Sequence, residues 1–280
     1  MTTVALIGAG GKMGCRITDN MKKQQAYRML HVEIAPAAIV SLARRGVSPV
    51  AVAEAVPAAD CVVLAVPDNR IATISSQIVP LMKPGALLVC LDPAAPCAGR
   101  VYLRPDIACF VTHPGHPPVF NDATAREARR DFVGGVKAKQ DIVCALLQGT
   151  EADYERGVAL CRTLFAPVMS AFRVTVEHMA ILEPALAETT SAPAVMMIKE
   201  GLDEAIRRGV PADAARAFLM GHINIQLAIT FGQIDARYSD GALKMLQEAQ
   251  EKLFRPDWKK VFEPEEVRAQ LESILKPPQG

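Results

Sequence analysis

Residues 4–14 read Val-Ala-Leu-Ile-Gly-Ala-Gly-Gly-Lys-Met-Gly. Four apolar residues of strand character run into a glycine-rich turn, and the residues through about Lys23 can form a helix. A second strand candidate, Arg28 to Val32, ends at Glu33. Strand, glycine turn, helix, strand and terminal acid make the βαβ pattern that binds a dinucleotide. Gly8, Gly10, Gly11 and Gly14 let the backbone turn tightly and approach a pyrophosphate. The helix start, at Lys12 and Met13, offers unpaired N–H groups and partial positive charge. The spacing G-x-G-G-x-x-G is one residue longer than G-x-G-x-x-G, so the helix is expected to begin near Gly11.

A glycine turn alone is also an ordinary strand-to-helix connection. The flanks and the acid give this one its meaning. Glu33 lies 19 residues past Gly14, where a carboxylate accepts hydrogen bonds from ribose hydroxyls. The same charge repels a 2′-phosphate in a partly desolvated site. No arginine follows directly to receive such a phosphate, the next being Arg44 and Arg45. NAD is therefore the expected cofactor rather than NADP.

The rest of the chain is read outward from this unit. Its 280 residues suffice for two domains and a sizeable core. Half are apolar and 22% charged, a globular composition. A net charge of +1 gives no basic surface for nucleic acid or an anionic membrane, and 5% aromatics argue against base stacking. Seven scattered cysteines without a C-x-x-C pattern suit a reducing compartment. With no charged-then-apolar leader and no apolar run long enough to span a bilayer, a cytoplasmic protein is expected.

Further strands are expected at Val50–Val52, 61–66, 86–91, 108–112 and 141–147, with helices at 36–45, 71–82 and 151–164. Continuous apolar runs such as Cys61-Val62-Val63-Leu64-Ala65-Val66 suit strands buried on both faces. The alternation predicts an α/β fold, an N-terminal Rossmann domain built on a doubly wound parallel sheet. From about Met169 strand-like runs end and alanine-rich helices take over, at 174–208, 212–231, 240–254 and 263–275. The expected division is a nucleotide-binding domain over 1–168 and an all-helical substrate-binding and dimerisation domain over 169–280. Pro184 and Pro193 predict a kink in the first of these helices, or a fresh start at Pro184. Lys276 to Gly280 read as a loose tail.

In open α/β sheets the ligand lies beyond the carboxyl ends of the strands. Three strand ends carry polar residues there. Pro67-Asp68-Asn69 and Asp92-Pro93 are placed to border the ribose and nicotinamide of the cofactor, although both are also common turn formers. His113-Pro114-Gly115-His116-Pro117-Pro118 forms a stiff loop in which a fixed imidazole suits a general base or a metal ligand. The helical region offers Glu177, His178, Glu183 and Glu188, then His222 with Asn224. Glu183 follows an apolar stretch and directly precedes Pro184, which suggests an inward-facing carboxylate needing a cation or histidine. The plainer reading is an exposed acid at a helix start.

The ordered segments GAGGKMG (8–14), HVE (31–33), AVPDN (65–69), CLDPAAP (90–96), THPGHPP (112–118) and ILEPALAETTSAP (181–193) resemble a known family. Broadly they are similar to phosphogluconate dehydrogenase-related β-hydroxyacid dehydrogenases, and more closely to D-apionate oxidoisomerases. The catalytic lysine and asparagine of the β-hydroxyacid dehydrogenases are missing, and Glu183 and Glu188 stand in that region. Cys97 has no neighbour in sequence built to activate it, which argues against a cysteine-based semialdehyde dehydrogenase. The resemblance implies NAD-dependent oxidation of a branched sugar acid, D-apionate, coupled to a skeletal rearrangement to a 3-oxo acid, 3-oxo-isoapionate. Such a shift is similar to an acyloin rearrangement and needs a cation between ketone and alkoxide. Under that reading His113 and Glu183 are the expected ligands of a divalent metal, zinc or similar, with His116 or Glu188 as a possible third. Glu188 or His222 would move protons. The competing readings are a metal-free NAD-dependent dehydrogenase of another small hydroxy acid, and a non-catalytic NAD sensor. A homodimer is expected through the Ala- and Met-rich helix that carries Ala180, Ala185, Ala187, Ala192, Ala194, Met196 and Met197.

Overall fold

The computed structural model describes residues 1–277. Seven strands form one sheet: β1 (Thr2–Ile7), β2 (Tyr27–Val32), β3 (Cys61–Leu64), β4 (Leu87–Cys90), β5 (Ala108–Pro114), β6 (Gln140–Gln148) and β7 (Val168–Arg173). Their order is β2-β1-β3-β4-β5-β6-β7. All neighbours run parallel except β5 and β6, which pair antiparallel. Helices α1 (Lys12–Met21), α2 (Pro36–Ala43), α3 (Val52–Ala58), α4 (Asp68–Ile78), α5 (Ala94–Cys97), α6 (Arg126–Arg129) and α7 (Glu151–Leu164) lie between the strands. Then follow α8 (Val176–Ala180), α9 (Ala192–Arg207), α10 (Ala212–Thr230), α11 (Asp240–Leu253) and α12 (Pro264–Ile274).

The all-apolar runs became the central strands. Every residue of β3 and β4 is buried, because helices cover a parallel sheet on both faces. Packing there is tight enough to demand glycine away from the turn. A Cβ on Gly157 of α7 would come within 2.5 Å of the Phe110 ring on β5. The start of α7 is set by a capping box in which Thr150 and Asp153 exchange hydrogen bonds.

Three expectations need correction. Val50–Val52 is not a strand. Val50 donates one hydrogen bond, 2.8 Å, to the His31 carbonyl, and Val52 opens α3. One bond is not a ladder, so β2 remains the sheet's edge. Strands also do not end at 168, since Val168–Arg173 forms β7 against β6. Its sequence, Val-Met-Ser-Ala-Phe-Arg, carries no apolar/polar alternation to set against the helical sequence after it.

The third correction concerns the long helix. Pro184 does not open a new helix at its first position. Instead Ile181–Ser191 is π-helical, between α8 and α9, with Pro184 inside and Pro193 in the first turn of α9. A proline has no N–H, and its ring collides with the carbonyl four residues back in an α-helix. A wider register, bonded five residues apart, is the local response.

By backbone contacts the chain divides into residues Met1–Ile181 with the stretch from Arg268 onward, and residues Leu182–Val267. The dividing point thus falls inside the continuous helical run, later than the 168 read from sequence. Residues 278–280 of the expected tail lie outside the described residues.

Candidate functional site

The glycine turn joins β1 to α1, with Gly11 as the N-cap. Gly8 has φ +79°, the left-handed region, and a Cβ there would meet the Ala65 carbonyl oxygen at 2.4 Å. Cβ atoms on Gly10 and Gly14 would lie 2.2 Å from the carbonyl oxygens of Ala38 and Gly8. Gly11 has room for a Cβ, its nearest neighbour being 3.4 Å away. The turn is therefore closed on the protein side and open where α1 begins. Lys12 is exposed and Met13 half-buried beside it.

Glu33 ends β2 against this turn. Its Oε2 accepts the Gly10 N–H at 2.9 Å, and Oε1 accepts those of Ile34 and Ala35 at 2.9 and 3.0 Å. The acid thus fixes the shape of the glycine turn as well as presenting charge at the strand end.

Strand register brings the next residues level. Leu64 pairs with Cys90, and Cys90 with Val111. Two residues further on, Val66, Asp92 and His113 emerge side by side at the carboxyl edge of the sheet. Asp68 follows in the first turn of α4. Burial, the Asp92 charge and a hydrogen bond to Asp92 push the Asp68 carboxyl up to about 7. Two carboxyls in one half-buried space share a proton more readily than both ionise. Asp92 also accepts the Ala94 N–H through Oδ1 at 2.8 Å, which fixes its rotamer. Pro67, Asp68 and Asn69 line an open cavity of about 500 Å³ with Arg70, Ile274 and Lys276.

His113 belongs to the end of β5, not to the loop after it. Its Nδ1 lies 3.1 Å from the Leu91 carbonyl oxygen. A carbonyl only accepts, so Nδ1 carries the hydrogen and Nε2 presents its lone pair. Burial holds the imidazole below its ordinary pKa, with the Leu91 carbonyl opposing and His116 reinforcing. The neutral ring is the form that ligates a metal.

Among the described residues, Asp92, His113 and Glu183 each offer one ligand atom, and these atoms lie within 4.8 Å of one another. All three are half-buried. Glu183 sits in the first turn of the π-helical run that continues α8. The sequence alone points to Asp92 as a cofactor residue only. The signal that would have found it is the register, since it ends a buried strand level with His113. His116 is elsewhere occupied. It is exposed, has φ +60°, and its Nδ1 lies 2.9 Å from the Val133 carbonyl. His222 is exposed on α10, stacked on Phe218 with ring centroids 4.0 Å apart, its Nδ1 2.8 Å from the Phe218 carbonyl. Glu188 is exposed on the same π-helical run as Glu183. Burial and the Glu177 charge push the Cys97 thiol up, the opposite of what a nucleophile needs.

Residues 121–275 match the family model described as phosphogluconate dehydrogenase (decarboxylating) C-term. Residues 1–114 match acetohydroxy acid isomeroreductase, NADPH-binding domain. A D-apionate oxidoisomerase of Rhizobium rhizogenes is 46% identical over 98% of this chain and 100% of its own. That of Cupriavidus necator is 44% identical over 97% of this chain and 98% of its own. Among solved structures, a semialdehyde dehydrogenase NAD-binding protein from Cupriavidus necator, in complex with calcium and NAD, superposes with a TM-score of 0.95. It is 44% identical and is covered over 98% of this chain and 99% of its own. An NADH-preferring ketol-acid reductoisomerase from an uncultured archaeon, 16% identical with a TM-score of 0.67 over 98% of this chain and 82% of its own, shares the fold.

Proposed function

The chain belongs to the D-apionate oxidoisomerase family, and on that premise we propose that it oxidises D-apionate with NAD and rearranges the product to 3-oxo-isoapionate. What supports the chemistry most is the set Asp92, His113 and Glu183, whose ligand atoms lie within 4.8 Å of one another. Two carboxylates and one neutral imidazole balance a divalent cation and suit zinc or a related ion. The related Cupriavidus structure holds calcium and NAD, so a cation and this dinucleotide occur together in a close relative. The donor set here, with its nitrogen, suits a softer ion than calcium, which favours all-oxygen shells.

NAD, when bound, accepts the hydride released from the substrate carbinol. Gly8, Gly10 and Gly14 let the turn close tightly on the protein side, and with Gly11 they shape the cradle in which its pyrophosphate would meet the N–H groups at Lys12 and Met13. Glu33 accepts from its ribose hydroxyls. Pro67, Asp68 and Asn69 border the ribose on the nicotinamide side. A divalent cation at the Asp92, His113 and Glu183 ligand atoms would stabilise negative charge on the oxygens of the substrate. With Nδ1 engaged by the Leu91 carbonyl, Nε2 is the nitrogen of His113 suited to such a cation. Asp68, neutral below about pH 7, donates to Asp92 and limits the charge there. His222 remains a second candidate for moving protons.

A homodimer through α9, α10 and α11 is part of this reading. Val195, Met196, Phe218, Met220 and Phe231 are all more than half exposed, and monomeric proteins seldom leave so much apolar surface uncovered. Ala180 and Ala185 are buried within the chain and take no part. Among the described residues no helix is long and apolar enough to cross a membrane, so a bilayer-spanning helix does not account for this surface. A monomer in solution scattering at micromolar concentration would remove the dimer.

The test is a panel of C4 to C6 sugar acids assayed for NADH and for the carbon skeleton of the product, before and after chelation. NADH with D-apionate and a rearranged product lost on chelation is expected. Glu183→Gln should lower rearrangement by about 10²-fold, the scale of several kcal/mol of charge stabilisation. Absence of NADH with every branched acid would end the reading. Rearrangement that survives complete metal removal would end the metal's part in it.

A further inference from the structure

The π-helical run Ile181–Ser191 covers eleven residues, whereas such geometry is usually a single-turn bulge and often marks a functional site. Its hydrogen bonds link residues five apart, so residues five apart stack on one face. Glu183 and Glu188 have that spacing. In an α-helix of 3.6 residues per turn they would point about 140° apart. A side-chain bond follows the same register: Thr190 Oγ1 donates to the Ala185 carbonyl, five residues back, at 2.7 Å. Pro184, inside the stretch near its start, and Pro193, just past its end, each disfavour the α register there. The wider register thus places position 188 on the face of the helix that carries Glu183.

We propose that Glu188 is the proton carrier of the rearrangement, placed there by the π register; this rests on the reading of the preceding subsection. After hydride loss the substrate is a 2-oxo acid with a tertiary 3-hydroxyl. Glu188 takes the proton from that hydroxyl. The O–H electrons form the new C3 carbonyl as the bond from C3 to the migrating carbon breaks. That carbon bonds to C2, and the C2 carbonyl electron pair moves onto its oxygen. Glu188 returns the proton to this oxygen. The step is redox-neutral and consumes no proton, so one carboxylate that accepts and then donates balances it.

The experiment follows NADH and product skeleton together in wild type and Glu188→Gln, with calcium and zinc titrated separately by calorimetry. Gln is isosteric and the site is exposed, so folding is retained. In the variant, rearranged product per NADH should fall by about 10²-fold, the scale of a lost acid–base group, and the unrearranged 2-oxo acid should collect. Glu188→Asp should recover part of the coupling. Metal affinity should stay within about threefold of wild type, because Glu188 is not among the residues whose ligand atoms gather at the site. A wild-type ratio of rearranged product to NADH in Glu188→Gln overturns the proposal. So does a loss of metal affinity beyond tenfold, which would make Glu188 a ligand instead. Failure of the wild type to form NADH from any branched sugar acid condemns the underlying reading, and is distinguishable from both.

Discussion

β3 and β4 have every residue buried, whereas α9 and α10 have one buried residue each and α11 has none. Both regions are rich in apolar side chains. In the sheet they meet helices on two faces, and the chain satisfies itself. In α9 to α11 they meet solvent, and Phe218 is 69% exposed. The contrast teaches that apolar content does not make a core. The sheet is a finished structure onto which a cofactor turn is built. The helices leave apolar faces in solvent, and the proposed homodimer is the arrangement that would cover them.

Glycine substitutions probe the contrast most sharply. Gly14→Ala puts a Cβ 2.2 Å from the Gly8 carbonyl oxygen and 2.7 Å from the Ala9 backbone. It should cost about 3 kcal/mol by denaturant titration and weaken NAD binding along with it. A stability unchanged from wild type would mean that the turn is far looser than these distances.

Next in size is Glu33→Gln. Loss of a charge-assisted hydrogen bond should weaken NAD by about 1–3 kcal/mol in calorimetry. The Gly10 N–H also loses its carboxylate partner, so the turn should loosen in the free protein. Equal use of NADP and NAD by the wild type would refute the role given to Glu33.

Asp68→Asn should show a pH-dependent effect of a few degrees in melting temperature. The unfolded carboxyl releases its proton near 3.8 and the folded one near 7. Between these values the folded state binds more protons, so rising pH costs the wild type stability. In metal-free protein the wild type should therefore lose about 2–4 °C or more relative to Asp68→Asn between about pH 4 and pH 8. Parallel melting curves would show that Asp68 ionises normally.

The smallest effect is expected at Gly221→Ala in α10, where a Cβ would meet nothing within 4 Å. It should raise stability by about 1 kcal/mol, the helix propensity difference. Destabilisation instead would mean that a partner chain packs against this glycine, and would locate the dimer face.

Much of the sheet was legible because buried parallel strands must be continuously apolar, and Cys61 to Leu64 and Leu87 to Cys90 are. The cofactor turn was legible because glycines 8, 10 and 14 have no steric substitute, and because Glu33 closes the next strand. Val50–Val52 misled, since a short β-branched run carries strand propensity whether or not a neighbouring strand is free to pair. β7 was hidden for the converse reason: its pairing with β6 is made by tertiary contact, and its own residues hold little strand signal.

By itself the sequence determined the nucleotide unit and the helical character of the later chain, from local composition and spacing, and it offered His113 and Glu183 as candidates. Tertiary structure alone decided that Asp92 stands level with His113, because register is a property of paired strands. It also decided that the helix around Pro184 widens instead of breaking. A proline states only that an α-helical bond is lost. Which geometry replaces it depends on what holds the helix on either side, and here it is a π-helical run over Ile181–Ser191.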